Sequence, residues 1–352
     1  MAGGGTGGHV IPAVAVAEEL RALGHSSVFV GTRRGLEAAI VPRAGFPLEW
    51  IEIGGLQNVG FIQAPKSLAQ LPWSVVKSRS ILRSRQAAAV FSMGGYVAAP
   101  VMLAAVLARI PMVLMEPNAM PGLVARRFAS RVDRALLSFE QTRVFFPPGR
   151  TEITGLPVRQ AFFEVPPRPA GGAFHVLITG GSRGSDALNR AARESWPLFR
   201  SSGLPLRLTL QCGAAAYPEL SRAFSESGLD GEALPFIDDM AAAYAASDLV
   251  VSRSGAGAVS ELAAAGRPAL LVPFPHAADD HQRHNAEALQ RAGAARMILE
   301  RDWSGRALFE SVRQLFEHRS SLSEMSLAAR ALAKPGAAGR AARLLIELAA
   351  AR

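Results

Sequence analysis

Gly3-Gly4-Gly5-Thr6-Gly7-Gly8-His9-Val10-Ile11-Pro12 is a glycine turn that runs directly into a helix. A second such turn, Thr179-Gly180-Gly181-Ser182-Arg183-Gly184-Ser185, follows a strand in the second half of the chain. Glycines let backbone N–H groups approach an anion that the positive end of a helix also attracts. Two turns of this kind, each at the head of a series of short apolar runs alternating with helical stretches, point to an α/β protein built from two doubly wound parallel sheets.

Working outward from the first turn, a helix is expected over residues 13–23, with Val16, Leu20 and Leu23 on one face, Pro12 near its first turn and Gly24 at its stop. Strands are expected over 27–31, 89–93, 112–116, 134–138 and 152–154. The rhythm breaks at Gly155-Leu156-Pro157-Val158-Arg159 and again at the Pro/Gly-rich stretch 165–172, which reads as an interdomain linker. It restarts with strands expected over 175–179, 206–211, 249–252, 269–272 and 296–299. A last Ala/Leu-rich helix follows Lys334-Pro335-Gly336. The expected division is 1–157, 158–335 and a terminal helix at 336–352.

The 352 residues include a single cysteine, Cys212, so no intrachain disulfide forms and a reducing compartment suits the chain. No run of about 18 apolar residues interrupts it, which argues against a spanning helix. The formal net charge of +9 favours anionic partners, whether nucleotide phosphates, a lipid surface or nucleic acid.

Several segments carry candidate chemistry. Gly3, Gly5 and Gly8 match the spacing of a dinucleotide-binding turn. The strand that should end in a ribose-binding acid runs instead into Gly31-Thr32-Arg33-Arg34, arginines that suit an NADP phosphate, so an oxidoreductase stays open on this motif alone. No lysine follows the glycines, which excludes a Walker A site. His9 stands where the turn meets the helix, a place for a general base. Met93-Gly94-Gly95-Tyr96 closes another strand and adds a second glycine turn to the first half. In the second half, Glu261 follows the strand and glycine turn of Ser252-Arg253-Ser254-Gly255 and is placed to accept from two ribose hydroxyls. The polar run from His276 to Asn285 offers paired donors and acceptors for a sugar. Its His and Asp residues lack a metal-ligand spacing, and no metal is called for.

Five segments in order, Gly4–Pro12, Met93–Val97, Phe236–Asp248, Ser252–Gly266 and His276–Ala286, make the chain resemble the MurG family of bacterial lipid II synthases. These are N-acetylglucosaminyltransferases that act on an undecaprenyl-linked muramoyl-pentapeptide. The resemblance covers nearly the whole chain and implies the GT-B fold, two Rossmann-like domains facing across a cleft, with the last helix returning to the first domain. It implies UDP-N-acetylglucosamine bound by the second domain: Ile237 and Arg159 at the uracil, Ser182 at the diphosphate, Glu261 at the ribose, and His281 and Gln282 at the sugar. Asn118, Thr6, Gly7 and Gly8 would reach the donor from the first domain. The acceptor diphosphate would lie on Gly5, Thr6, Gly94, Gly95 and Tyr96. An inverting transfer with His9 as base follows, with no cofactor and no metal.

The partners so implied are UDP-N-acetylglucosamine, lipid I, an anionic membrane surface on the cytoplasmic face and other cell-wall synthesis proteins, with no nucleic acid. A related transferase with a different lipid acceptor, such as a diacylglycerol, and a catalytically silent nucleotide-sugar-binding protein are the competing readings. The segment 61–85 mixes Phe61, Ile62, Leu68, Leu71, Trp73, Val75, Val76, Ile81 and Leu82 with Lys66, Lys77, Arg79, Arg83 and Arg85, and is expected to dock on anionic lipid.

Three departures stand out. Glu116-Pro117-Asn118 replaces the family's Glu-Gln-Asn, and Leu156 replaces an Asn before Arg159. The strand that should precede the first glycine turn is not seen. The sheet is therefore expected to lack its central strand, and the natural chain to begin several apolar residues earlier.

Overall fold

The computed structural model describes residues 1–5, 7–54, 63–168 and 171–351, with the main chain alone for 63–69. Thr6, Phe61 and Ile62 lie outside the described residues. The chain divides into two compact units, Met1–Pro157 together with Lys334–Arg352, and Val158–Ala333.

The first unit runs α1 (Gly7–Ala22), β1 (Phe29–Gly31), α2 (Glu37–Arg43), β2 (Leu48–Trp50), α3 (Gln63–Ser84), β3 (Val90–Ser92), α4 (Ala98–Ala108), β4 (Met112–Glu116), α5 (Leu123–Phe128), β5 (Arg134–Leu137) and β6 (Thr151–Ile153). All pairings are parallel: β1 with β2, and β3-β4-β5-β6 in that order. Every residue of β4 is buried, as a central parallel strand covered by helices on both faces requires. Val30, Val90, Leu114 and Leu137 form a core with Val101, Met102 and Ala105 of α4.

The expected gap beside β1 is filled in part. Ala2 bridges both Val30 and Ser92 in the parallel sense. Ala2 N donates to Phe91 O (2.7 Å), Met93 N to Ala2 O (2.9 Å) and Val30 N to Met1 O (3.0 Å). Two residues thus join the two sets of strands. Behind Met1 lies a cavity of about 250 Å³ lined in part by Ser27, Val28, Ala89, Val90 and Leu345.

The second unit runs α6 (Gln160–Phe163), β7 (Phe174–Thr179), α7 (Asp186–Ser202), β8 (Leu206–Gln211), α8 (Tyr217–Ser227), β9 (Asp230–Leu234), α9 (Met240–Ala246), β10 (Leu249–Ser252), α10 (Ala256–Ala265), β11 (Ala269–Leu271), α11 (His281–Arg291), β12 (Ala295–Met297), α12 (Gly305–Glu317) and α13 (Arg319–Leu332). Its six parallel strands lie in the order β12-β11-β10-β7-β8-β9. That is the doubly wound order whose direction reverses between β7 and β10, where such sheets bind ligands at the carboxyl ends. Val176, Ile178, Leu208, Leu210 and Val251 form its core with Trp196, Phe199, Leu308 and Val312. Finally α14 (Ala337–Ala350) packs on α1 of the first unit.

Two expectations need correction. The first helix begins at Gly7, six residues earlier than expected, with Pro12 inside it. Only one main-chain bond near the helix start is lost there, so the proline is tolerated. The stretch read as a linker is also structured in part. Phe162 of α6 is fully buried, Arg330 donates to Phe163 O (3.2 Å) and Val165 O (2.7 Å), and Arg267 to Pro166 O (2.6 Å). These two arginines fasten residues 163–166 to the second unit.

Candidate functional site

In the first unit, the turn after Ala2 and the turn after β3 flank the place where the strand order reverses. Both are tight. Gly5 has φ +89°, and Gly94 and Gly95 have φ +70° and +77°, a conformation that side-chain-bearing residues seldom adopt. The two turns also touch. A Cβ on Gly5 would lie 3.2 Å from Cε1 of Tyr96, and one on Gly95 would lie 3.2 Å from Cε1 and Nδ1 of His9. Gly5, Gly94, Gly95, Tyr96 and His9 are therefore neighbours, and Gly7 and Gly8 open α1 beside them. Thr6 falls outside the described residues.

His9 is half-buried in the first turn of α1, with Nδ1 3.3 Å from Gly4 O. The turn it belongs to is anchored from below by a side chain that sequence reasoning passed over. Glu37, at the start of α2, is 1% exposed and accepts from Gly5 N (2.8 Å), Thr32 N (2.8 Å) and Thr32 Oγ1 (2.9 Å). Gly31 and Gly35, both ahead of it in the chain, were the available signal.

Asn118 follows the carboxyl end of β4. Its main-chain N and its Nδ2 donate to Glu116 Oε1 (3.0 and 3.2 Å), and Gly122 N donates to Glu116 Oε2 (3.2 Å). Burial pushes the Glu116 carboxyl up to about 7, against the opposing pull of these donors. The buried acid thus shapes the turn that presents Asn118.

In the second unit, the turn of Gly180–Gly184 closes on the end of β8. A Cβ on Gly184 would fall 2.0 Å from Cys212 O, so only glycine permits this approach. Gly181 N donates to Thr179 Oγ1 (3.2 Å), and Ser185 caps α7 by accepting from Leu188 N (3.5 Å). Ser182 stands exposed on the turn ahead of that helix start. Across the reversal point, Arg253 donates from Nε to Ser185 Oγ (3.1 Å) and pairs through Nη2 with Glu300 (2.6 Å). In the sequence, Arg253 stands out only as part of a turn.

Glu261 lies in the second turn of α10. Burial raises its carboxyl to about 7, and the charge of Arg159 pulls it back down. The Arg159 guanidinium stacks 5.0 Å from the ring centre of Phe162, which packs on Tyr244 at 5.5 Å. Arg159 and Glu261 are therefore brought together; Ile237 lies half-buried on the connection from β9 to α9. Further along, Phe274 N donates to Gln282 Oε1 (3.1 Å), which leaves the Gln282 amide NH₂ as its donor end. Ser254 Oγ donates to Gln282 O (2.7 Å), and Asn285 Nδ2 to Ser254 O (3.1 Å). His281 Nδ1 donates to Ala278 O (2.7 Å), so its lone pair is on Nε2. A donor-rich turn, a carboxylate beside an arginine and a fixed amide form a set suited to a nucleoside diphosphate carrying a polar group.

On α3, Trp73 is 78% and Val76 63% exposed, with Lys77, Arg79 and Arg83 exposed on the same helix. Val75, Ile81 and Leu82 instead pack into the core. Among the described residues, no helix is long and apolar enough to cross a membrane.

Comparison with known proteins bears on both units. The glycosyltransferase family 28 N-terminal domain matches residues 1–137, and the C-terminal domain of the same family matches residues 175–341. The chain is 57% identical over 350 residues to a UDP-N-acetylglucosamine–N-acetylmuramyl-(pentapeptide) pyrophosphoryl-undecaprenol N-acetylglucosamine transferase of Solibacter usitatus, covering 99% of this chain and 95% of that one. It is 40% identical to the transferase of the same description from Geobacter metallireducens, covering 96% and 95%. The crystal structure of Acinetobacter baumannii MurG superposes with a TM-score of 0.81 at 32% identity, covering 98% of this chain and 97% of that one.

Proposed function

The chain belongs to glycosyltransferase family 28 and has the GT-B fold, and from that premise we propose that it transfers N-acetylglucosamine from UDP-N-acetylglucosamine to undecaprenyl-diphospho-muramoylpentapeptide, lipid I. The product is lipid II, and the step belongs to peptidoglycan synthesis. The observation that carries this reading is the 57% identity to a transferase of that description, spread over 99% of the chain rather than over isolated motifs.

The donor is held by the second unit. The turn around Ser182 and the N-terminus of α7 meet the diphosphate and relieve the charge that grows on it as UDP leaves. Glu261 accepts from the ribose hydroxyls, Arg159 and Ile237 flank the uracil, and Gln282 and His281 meet the sugar. The acceptor diphosphate lies on Gly5, Thr6, Gly94, Gly95 and Tyr96, while Gly7, Gly8 and Asn118 extend the donor contacts. The acceptor hydroxyl attacks the anomeric carbon as the bond to UDP breaks, and its proton passes to His9. Attack opposite the leaving group inverts the anomeric centre.

The enzyme works at the cytoplasmic face of the membrane as a peripheral protein. Trp73 and Val76 would enter the lipid interface, with Lys77, Arg79 and Arg83 meeting anionic headgroups. Transfer of labelled N-acetylglucosamine to a lipid I analogue, beside a diacylglycerol, tests the acceptor. Product on the lipid I analogue alone is expected; product on diacylglycerol alone would replace this reading with the other lipid acceptor.

A further inference from the structure

The peptide unit joining Gly4 to Gly5 is gripped at both ends. Its N–H donates to Glu37 Oε2 at 2.8 Å, and its carbonyl oxygen lies 3.3 Å from His9 Nδ1. A carboxylate, one peptide and an imidazole therefore stand in line. We propose that Glu37 is a positioning residue for His9, setting its tautomer and raising its basicity through this single peptide. The inference rests on His9 being the base of the transfer.

The local architecture is built around the Glu37 carboxyl. Thr32 gives it two further hydrogen bonds, and it is 1% exposed. Three glycines make the room: a Cβ on Gly4 would lie 2.6 Å from Oε1, one on Gly31 2.5 Å from Cγ, and one on Gly35 2.0 Å from Oε2. Three donors converge on the carboxyl, which suits an acceptor carboxylate.

A carbonyl oxygen only accepts, so His9 Nδ1 carries the proton and the lone pair falls on Nε2. During transfer the acceptor hydroxyl's electron pair forms the new bond to the anomeric carbon. The pair of the old bond leaves on UDP, and the hydroxyl proton moves to Nε2. Positive charge then develops on the ring, and the bond from Nδ1–H to the carbonyl tightens, together with the bond from the peptide N–H to Glu37. The arrangement does the work of an acid oriented behind a catalytic histidine, with a peptide inserted between them. Tyr96, against Gly5, is another ionisable group facing this loop, while Arg33 and Arg34 follow Thr32 in sequence as exposed residues, with Arg33 over the Trp50 ring.

Nitrogen-15 NMR of the intact protein, with His9 assigned by comparison with His9→Gln, tests the proposal. In the unsubstituted protein the neutral ring is expected to carry its proton on Nδ1; the opposite tautomer overturns the proposal and needs no Glu37 variant to fold. In Glu37→Gln the His9 titration midpoint is expected to fall by about one pH unit. The acid limb of kcat/KM should move with it, and kcat should drop about tenfold or more with the donor KM unchanged. Glu37→Asp, which keeps the charge, should restore most of the midpoint, and Thr32→Val should leave it in place. A midpoint unmoved in Glu37→Gln overturns the proposal. A midpoint that moves while the acid limb does not supports the coupling and removes His9 as the base.

Discussion

Arg340 of α14 grips Glu152 of β6 with two parallel hydrogen bonds, Nε to Oε1 at 2.7 Å and Nη2 to Oε2 at 2.9 Å. The pair ties residues 188 apart in sequence and fixes the last helix on the first unit. Both side chains are about one-third exposed, 34% and 37%, so solvent screens the charges. Arg340→Ala should cost about 0.5–1 kcal/mol in urea unfolding. A double-mutant cycle with Glu152→Ala should recover most of that as coupling; strict additivity would show that the bridge contributes nothing.

Glu116 sets a pH dependence of stability. Its carboxyl ordinarily titrates near 4.5, and burial raises it to about 7 in the folded protein. Between those values the folded state keeps a proton that the unfolded chain has released, so the contribution of Glu116 to stability is full below about 4.5 and is lost as pH rises through about 7. At about 1.4 kcal/mol per pH unit the loss is roughly 2–4 kcal/mol. Unfolding curves from about pH 4.5 to about pH 8 should slope down for the natural sequence and less steeply for Glu116→Gln. Parallel curves would remove Glu116 as the source.

Glu261 should make donor binding depend on pH in the opposite sense. Its carboxyl sits at about 7 because burial outweighs the pull of Arg159, and ribose hydroxyls donate to the ionised form. Affinity for UDP-N-acetylglucosamine should therefore rise as pH goes from about 6 to about 8. Glu261→Ala should weaken binding by about 1.5–3 kcal/mol and flatten that rise. Calorimetry reads both, and unchanged affinity in the folded variant would leave Glu261 only its place in α10.

How much of this was readable in advance follows from where side chains decide the structure. β4 and β10 are almost wholly apolar and buried along their length, and in β8 Leu206, Leu208 and Leu210 alternate with Arg207, Thr209 and Gln211; the limits of all three were legible to the residue. β2 and β9 were not. β2 is three half-buried residues, and β9 is Asp-Gly-Glu-Ala-Leu, whose pairing with β8 is a main-chain matter that composition does not announce. The glycine turns were legible because φ above zero selects glycine. The grip of Glu37 on Gly5 was hidden, since an acid at a helix start ordinarily serves the helix itself. Ala2 bridging β1 and β3 was hidden too, two residues being too short for any pattern.

The exposed face of α3 predicts adhesion to anionic lipid. Trp73 and Val76 stand in solvent beside Lys77, Arg79 and Arg83, an arrangement with both an apolar and an electrostatic component. Binding to anionic vesicles should weaken with added salt and on joint neutralisation of the three basic residues, at about 1 kcal/mol each near the surface. Trp73→Ala should weaken what salt does not. Equal binding to neutral and anionic vesicles would contradict the electrostatic part.

The most direct measurement for the whole account is UDP release from UDP-N-acetylglucosamine, followed with and without a lipid I analogue, for the natural sequence and for His9→Ala. A base acting in the transition state contributes typically about 10²–10⁴-fold. The account predicts release that depends on the lipid I analogue and falls on that scale in His9→Ala, while the variant still binds UDP-N-acetylglucosamine. UDP-sugar binding with no acceptor-dependent release by the natural sequence would contradict the assignment as a transferase to lipid I, and near-normal release by His9→Ala would contradict the role of His9.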